Sequence, residues 1–393
     1  SLVCKMIYNL DIEEQLKNCV KNNNESSSIP PLCYSNDKIL EIEKNLLFKK
    51  QWICIGHIKY LKKPGDYFTK LISDIPIIVI RDKLLQIRVF LNVCRHRSAR
   101  LLEGKGNTSG IVCPFHSWAY NLEGKLKGAP NMNEAKNFHK EEFGLKEFQS
   151  EERLGLCFVS FDKSNQKLDD QIDNFEVIHS KWPMENLIST RQRTFTVNCN
   201  WKAFLEVFNE YYHLPFVHPE TIGEIYQVPD FPDETNGSFT SQFGKTSGTG
   251  ALLEKEQEFA LPRMPGLNKE AFNSVRYTWI FPNLTFAIGD DALWIYEVYP
   301  LTSEICEVFQ TTCFPESTTN LNNFETLSKQ YYHRMDAAIE EDIPALINQQ
   351  NGLRSSYAEQ GRFSPLLEAN VAFFAEWYAK KLLYSDDLNF IKN

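Results

Sequence analysis

The chain has 393 residues, a formal net charge of −9, 42% hydrophobic residues and 24% charged ones. That length exceeds what one hydrophobic core usually serves, so two domains are expected, and the composition is that of an ordinary soluble globular protein. The acidic balance argues against a nucleic-acid partner, which needs a basic face for phosphates, and the longest apolar run, Ile75 to Ile80 including Pro76, is far too short to cross a bilayer. The first residues carry no basic region followed by a long apolar stretch, so no signal peptide is expected. Apart from Cys94 and Cys113, the cysteines (Cys4, Cys19, Cys33, Cys54, Cys157, Cys199, Cys306, Cys313) are scattered. They are expected to be buried, reduced thiols of a cytoplasmic protein.

Residues 1–50 are polar, with Asn22–Ser28 reading as a loop. Asp37–Lys50 reads as a short amphipathic helix with Ile39, Ile42, Leu46 and Leu47 on its apolar face. Trp52 opens a run of short β segments, Trp52–Ile58, Tyr67–Leu71, Ile77–Arg81 and Leu85–Asn92, punctuated by Pro64-Gly65-Asp66 and Asp82-Lys83. Cys94-Arg95-His96 follows, and after sixteen intervening residues comes Cys113-Pro114-Phe115-His116. Two thiolates and two imidazoles in this order suit a [2Fe–2S] cluster in which His replaces Cys on one iron and raises its potential. Zinc takes the same ligands, but a zinc finger usually pairs Cys with Cys and His with His, whereas each loop here carries one of each. A strand at Gly155–Phe161 would close a small antiparallel β domain over residues 48–160.

Beyond Phe161 the character changes. Lys163–Asp173 is a polar linker or helix start, Arg191–Val197 alternates as a strand, and Asn200-Trp201-Lys202 opens a helix expected to run through Tyr212. Asn273 to Phe314 reads as successive strands with turns at Pro282-Asn283 and Gly289-Asp290-Asp291. Asn323–Asp342 and Ala369–Leu383 have helical apolar spacing.

The second constellation is Glu210-x-x-His213-x-x-x-x-His218. Two imidazoles with one carboxylate form a facial triad that leaves positions open on Fe(II). Five residues apart on a straight helix, His213 and His218 would point about 140° from one another, too far to share an ion. Pro215 between them predicts a break that turns His218 back. The carboxylate must come from elsewhere, with Asp336, Glu340, Glu341 and Asp342 as candidates; Asp342 ahead of Pro344 also reads as an ordinary helix N-cap.

Cys94-x-His96 with Cys113-Pro-Phe-His116-x-Trp118-x-Tyr120-x-Leu122-x-Gly124 resembles the Rieske domain of the Rieske non-haem iron oxygenases, specifically their large (α) subunits. The likeness continues through Asn200-Trp201-Lys202 and Glu206 to Glu340-Glu341-Asp342-Ile343 and Gln350-x-Gly352-Leu353, and so covers most of the chain. It implies an α+β fold, with a small antiparallel β Rieske domain (48–160) between an N-terminal segment (1–47) and a larger catalytic domain (161–393) built on a central antiparallel sheet with helices. It also implies Cys94, His96, Cys113 and His116 as cluster ligands, Asp342 as the third iron ligand, and O2 as co-substrate. Glu210 would then relay electrons between the two centres across a subunit boundary of a homotrimer; the partner would be a separate reductase or ferredoxin, with NADH used by the reductase. Val207 departs from the pattern, since many members place Asn there, and Asn209 is not taken to replace it.

For the substrate, Tyr277, Trp279, Phe281, Phe286, Trp294 and Tyr296 suit a cation–π cage around a quaternary ammonium group. They equally suit a flat aromatic ring or the core of the sheet. Glu rather than Asp at 210 resembles the choline, glycine betaine and carnitine oxygenases. The expectation is therefore hydroxylation or N-demethylation of a quaternary ammonium compound, with an aromatic acid as runner-up. A stand-alone electron carrier would need only residues 48–160 and would leave Glu210, His213, His218 and Asp342 without a purpose.

Overall fold

The computed structural model describes residues 12–162, 166–235 and 238–385, so Cys4 lies outside the described residues. The nine described cysteines are all buried and none is in a disulfide. Among the described residues no helix is long and apolar enough to cross a membrane. The chain divides into two compact units, Phe48–Ser164 and Ser1–Leu47 with Asn165–Asn393.

The smaller unit is antiparallel β throughout. Its strands are β1 (Trp52–His57), β2 (Asp66–Ile72), β3 (Ile75–Arg81), β4 (Ile87–Leu91), β5 (Lys105–Asn107), β6 (Ile111–Val112), β7 (Ala119–Tyr120), β8 (Leu126–Gly128), β9 (Glu147–Arg153) and β10 (Leu156–Ser160). Seven strands form one sheet in the order β1-β10-β9-β4-β3-β2-β5, and β6-β7-β8 form a separate ribbon. Ile78, Ile80 and Phe90 from the large sheet pack with Ile111, Trp118, Tyr120 and Leu126 of the ribbon and its loops to make the core.

Strand β9 has no apolar alternation, because Glu147-Phe148-Gln149-Ser150-Glu151-Glu152-Arg153 is almost wholly polar. Neighbours rather than propensity hold it in place. It lies between β10, whose five residues are all buried, and β4, where Val89 faces Phe148. Its acids meet Arg88, Lys59 and Arg153.

The larger unit is built on a six-stranded antiparallel sheet. Its strands are β11 (Leu187–Val197), β12 (Phe239–Lys245), β13 (Ser274–Ile280), β14 (Leu284–Ile288), β15 (Leu293–Thr302) and β16 (Ile305–Pro315), in the order β11-β16-β15-β14-β13-β12. Register sets the faces. Tyr277, Ala287 and Trp294 form one row across the sheet, and Trp279, Thr285 and Tyr296 form the next row on the same face. The helices that frame the site are α1 (Asp37–Glu43), α2 (Trp201–Phe208), α3 (Leu214–Val217), α4 (Phe324–Leu353) and α5 (Ala369–Leu383).

Three helices differ from the sequence expectation. The helix expected over Asp37–Lys50 is α-helical only to Glu43 and continues as wider π-type turns over Lys44–Lys49. The helix expected through Tyr212 stops at Phe208, where the Asn209 amide turns back to the Leu205 carbonyl (2.7 Å) and accepts a hydrogen bond from Thr285 (3.0 Å). Pro344 does not end α4, which carries on to Leu353, so Asp342 is an interior helix residue and not an N-cap. Tertiary packing overrides the local proline signal there, at the cost of the hydrogen bond that residue 344 would have given to the Glu340 carbonyl.

Candidate active site

The two Cys/His loops of the smaller unit are hydrogen-bonded alike. In each, the cysteine N–H donates to the carbonyl five residues on (Ala99, Trp118), and its carbonyl accepts from the N–H four residues on (Ser98, Ser117). Ser98 and Ser117 both take left-handed backbone angles, φ 61° and 58°. Cys94 and Cys113 are buried in the core, whereas His96 and His116 stand at its exposed edge with ring centroids 4.7 Å apart. His96 stacks on the buried Trp118 ring at 5.0 Å. The Tyr120 hydroxyl accepts from the Arg95 N–H (3.0 Å), which leaves its proton for the Cys94 sulfur at 3.3 Å. Burial and Cys94 both push that phenol above its usual range, so it stays a donor.

This arrangement fits a Rieske cluster: an inner pair of thiols, an outer pair of imidazoles, and a hydroxyl positioned on one sulfur. A single zinc ion would need its donors within about 4 Å of one another. Among the described residues, the only group of three or more His, Cys, Asp or Glu that meets even a 4.8 Å limit is His213, His218 and Asp342, in the other unit.

That second group begins with α2 and its Asn200-Trp201-Lys202 start. Asn200 caps the helix by accepting from Lys202 N (3.0 Å) and also donates to the Ser303 carbonyl (2.7 Å). Trp201 donates to Glu43 (2.8 Å), and Lys202 pairs with the same carboxylate at 2.6 Å. The motif is thus an anchor that fixes α2 and the turn after it. Glu210 lies in that turn rather than on a helix, so it does not share a helical face with His213. One of its oxygens accepts from the His213 backbone N–H (3.0 Å) and the other from the imidazole Nδ1 (2.6 Å). A proton held on Nδ1 leaves the lone pair on Nε2.

The one-turn helix α3 separates the two histidines, with His213 at its N-cap and His218 at its C-cap. Pro215 sits in the first turn and starts this helix; it does not interrupt one. Gly223 lies against the His218 carbonyl, where a Cβ would come within 2.8 Å.

His213 Nε2 and His218 Nε2 are 3.2 Å apart, and Asp342 Oδ1 lies 3.4 Å and 3.0 Å from them. Three donors bonded at about 2.1 Å and at right angles to one another stand about 3.0 Å apart, so this triangle fits one face of an octahedral ion. The contacts to Asp342 Oδ1 lack hydrogen-bond geometry, and that buried oxygen is otherwise unpartnered, as expected of lone pairs aimed at a common point. Burial acts to raise the Asp342 carboxyl, but the two imidazoles outweigh it and hold it below the usual range. Burial likewise opposes charge on His213, yet Asp342 and Glu210 push it up to about 10. The pocket therefore favours a cation.

The other candidate carboxylates are engaged elsewhere. Asp336 is held by Arg191 and Arg193, and Glu340 is exposed. Glu341 accepts from Thr221 (2.8 Å) and lies 3.3 Å from His218 Nδ1. It lies beside His218 but leaves His218 Nδ1 without a hydrogen bond, unlike Glu210 on His213.

A cavity opens beside the triad, walled by Phe204, Phe208, Tyr211, Tyr277, Tyr296 and Ile339, with Arg334 also on its wall. Of the expected pocket residues Tyr277, Trp279, Phe281, Phe286, Trp294 and Tyr296, two line it, Tyr277 and Tyr296. Trp279 shares the correct face but stacks on Phe374 of α5 (4.0 Å), and Phe281 packs on Phe374 and Trp377. Phe286 points to the opposite face, against Phe175 and His179. Trp294 lies beneath the Arg334 guanidinium (5.0 Å). Sequence reasoning missed Phe204, Phe208, Tyr211 and Arg334. The signal for Arg334 was its place four and eight residues before Ala338 and Asp342, a cation on the inward face of α4.

Residues 181–383 match the family described as ring hydroxylating alpha subunit (catalytic domain), and residues 51–140 match the Rieske [2Fe-2S] domain. The carnitine monooxygenase oxygenase subunit of Acinetobacter baumannii is 26% identical over 365 residues, which cover 90% of this chain and 94% of that one. The glycine betaine monooxygenase oxygenase subunit of Pseudomonas aeruginosa is 25% identical over 394 residues, covering 93% and 91%. A solved quaternary ammonium Rieske monooxygenase is similar at 25% identity and a TM-score of 0.79, covering 93% of this chain and 98% of that one. The catalytic-domain match spans more than half the chain and a Rieske domain precedes it, so the protein belongs to the ring-hydroxylating α-subunit family of Rieske non-haem iron oxygenases.

Proposed function

We propose that this oxygenase oxidises a quaternary ammonium compound. The observation that carries the reading is the donor triangle of His213, His218 and Asp342 opening on a cavity walled by Phe204, Phe208, Tyr211, Tyr277 and Tyr296. Aromatic faces attract a trimethylammonium group, which cannot accept or donate a conventional hydrogen bond. The names of the relatives from Acinetobacter and Pseudomonas support the same class.

In this reading Cys94, His96, Cys113 and His116 hold the [2Fe–2S] cluster, and His213, His218 and Asp342 hold Fe(II). When bound, these groups supply stored electrons and O2 activation. The chain's own residues do the rest. Glu210 keeps the proton of His213 on Nδ1 and so presents Nε2 to the ion, and Glu341, held by Thr221, flanks His218. Leu214 and Ile339 with the aromatic wall give the cavity an apolar lining beside the triad. The net reaction takes substrate, O2, two electrons and two protons to hydroxylated substrate and water. Hydroxylation at a carbon bonded to the quaternary nitrogen gives a hydroxyalkyl ammonium, which loses the hydroxyl proton as its C–N bond breaks to give a tertiary amine and an aldehyde; the aldehyde is formaldehyde if a methyl group is attacked.

The electrons come from NADH through a separate reductase, directly or by way of a ferredoxin. The two curated relatives are called oxygenase subunits, which fits a divided system. Glu210 also serves as the relay between centres across a homotrimer; the similar solved protein is described as having inter-subunit electron transfer. Nine buried cysteines outside any disulfide fit a cytoplasmic location. The test is a reductase-coupled assay with choline, betaines and carnitine against aromatic acids, reading O2 uptake together with amine and aldehyde. Coupled product from an ammonium compound is expected. Oxidation of an aromatic acid alone would replace this substrate class.

A further inference from the structure

Arg334 is a buried charge on the wall of the cavity that takes no part in holding the triad. Among the described residues, three cationic side chains are buried in the larger unit: Lys202, Arg276 and Arg334. Lys202 is paired with Glu43 and Arg276 with Asp233. Among the described residues, Arg334 has no carboxylate within 4.0 Å, although it is only 2% exposed. Its Nε donates to the Gly250 carbonyl (3.1 Å) and Nη2 to the Tyr226 hydroxyl (2.6 Å). The only partner of Nη1 is the Met335 sulfur at 3.8 Å, a weak acceptor. The Trp294 face offsets part of the charge, but the phenols beside it do not: burial raises Tyr277 and Tyr296, so both stay neutral. A buried guanidinium with donor capacity left over is a built seat for a carboxylate.

Its place in the cavity gives that seat a meaning. Arg334, Ala338 and Asp342 follow one another at intervals of four along α4, and all three line the cavity. Eight residues of helix span about 12 Å, so the carboxylate seat and the metal-ligand triad lie at opposite ends of the same face. Ala338 between them leaves room, and Phe208, whose ring meets Tyr277 at 5.2 Å and Tyr296 at 4.7 Å, makes the aromatic middle. Resting on the ammonium reading above, we propose that the substrate is a zwitterion whose carboxylate binds Arg334 while its ammonium group lies among the aromatic rings nearer the triad. A substrate with only the positive end would meet an uncompensated buried cation and be disfavoured.

The test compares matched pairs in the reductase-coupled holoenzyme: glycine betaine with its methyl ester, and carnitine with its methyl ester. The wild type is expected to favour the acids by about 100-fold in kcat/KM, mostly through KM, which is the scale of charged hydrogen bonds. Arg334→Gln should bring the acid-to-ester ratio close to one, and Arg334→Lys, which keeps the charge but loses the fork, should leave an intermediate ratio. The wild-type ratio reads the seat even if the glutamine variant fails to fold. Equal use of acid and ester by the wild type, or an unchanged ratio in a folded Arg334→Gln that keeps its cluster spectrum and iron, would overturn the proposal. If no ammonium compound is oxidised but aromatic acids are, the ammonium reading falls; the seat for a carboxylate then stands or falls on the same ratio measured with an aromatic acid and its ester.

Discussion

Replacing Glu210 by Gln changes one atom and tests how the site holds its ion. The carboxylate offers two acceptors, one to His213 Nδ1 at 2.6 Å and one to the His213 backbone N–H at 3.0 Å. An amide offers one acceptor and one donor. If its oxygen faces Nδ1, the ligating tautomer survives, but the amide NH2 then meets the backbone N–H, donor against donor. If it is flipped, Nδ1 must accept, the proton moves to Nε2, and His213 can no longer bind metal in that form. The less costly orientation loses one hydrogen bond and weakens a charge-assisted one, about 2 kcal/mol together, or roughly 30-fold in iron affinity at 1.36 kcal/mol per tenfold. Anaerobic Fe(II) titration of protein stripped of mononuclear iron reads this directly, with the Rieske absorption as an internal check on folding. A Kd within threefold of wild type, cluster spectrum intact, would refute the tautomer argument. With iron in excess, the variant should still show slowed oxidation of the pre-reduced cluster in stopped flow if Glu210 is also the relay between centres.

Lys202→Met should destabilise the larger unit by about 3–5 kcal/mol, because it leaves the Glu43 carboxylate buried with hydrogen bonds from Trp201 and Tyr378 but no cation. Urea unfolding measures it, and a loss below about 1 kcal/mol would show that the pair is replaceable. His179 gives Nδ1–H to the Phe175 carbonyl (2.6 Å) and takes the Thr278 hydroxyl proton on Nε2 (2.7 Å), and burial, helped by Arg276, lowers it from 6.5 to about 3. Its contribution is therefore complete above pH 6.5 and lost as pH falls towards 3. His179→Gln should flatten the fall in stability across that window, and equal slopes in the two proteins would count against it. Phe286→Leu should leave the Michaelis constant near wild type, whereas Tyr296→Leu should raise it severalfold; the reverse order would return Phe286 to the pocket.

What could be read from the chain alone follows from how far apart the cooperating residues lie. Cys94, His96, Cys113 and His116 sit in two tight turns, so their chemistry is local and their spacing carries it. The convergence of His213 and His218 is local for the same reason, although the helix between them is a single turn started by Pro215 and not a long helix broken by it. Asp342 is more than a hundred residues away, and spacing could not choose it over Asp336 or Glu341; only the fold shows Asp336 committed to two arginines and Glu341 turned to Thr221. The aromatic pocket was the least legible part. Alternation along β13 and β14 separates Phe286 from Tyr277, but nothing in the sequence says that α5 covers Trp279 and Phe281 while Tyr277 and Tyr296 stay open to the cavity. Which helix covers which stretch of a sheet is a tertiary outcome.

The most direct test of the two-centre account is metal and sulfide analysis of protein purified anaerobically without added metal, read beside its visible spectrum. The account predicts a red-brown protein with about three irons and about two acid-labile sulfides per chain, and an Asp342→Ala variant that loses about one iron while keeping sulfide and colour. A colourless wild type holding zinc, or an Asp342→Ala variant that retains all its iron, would contradict it.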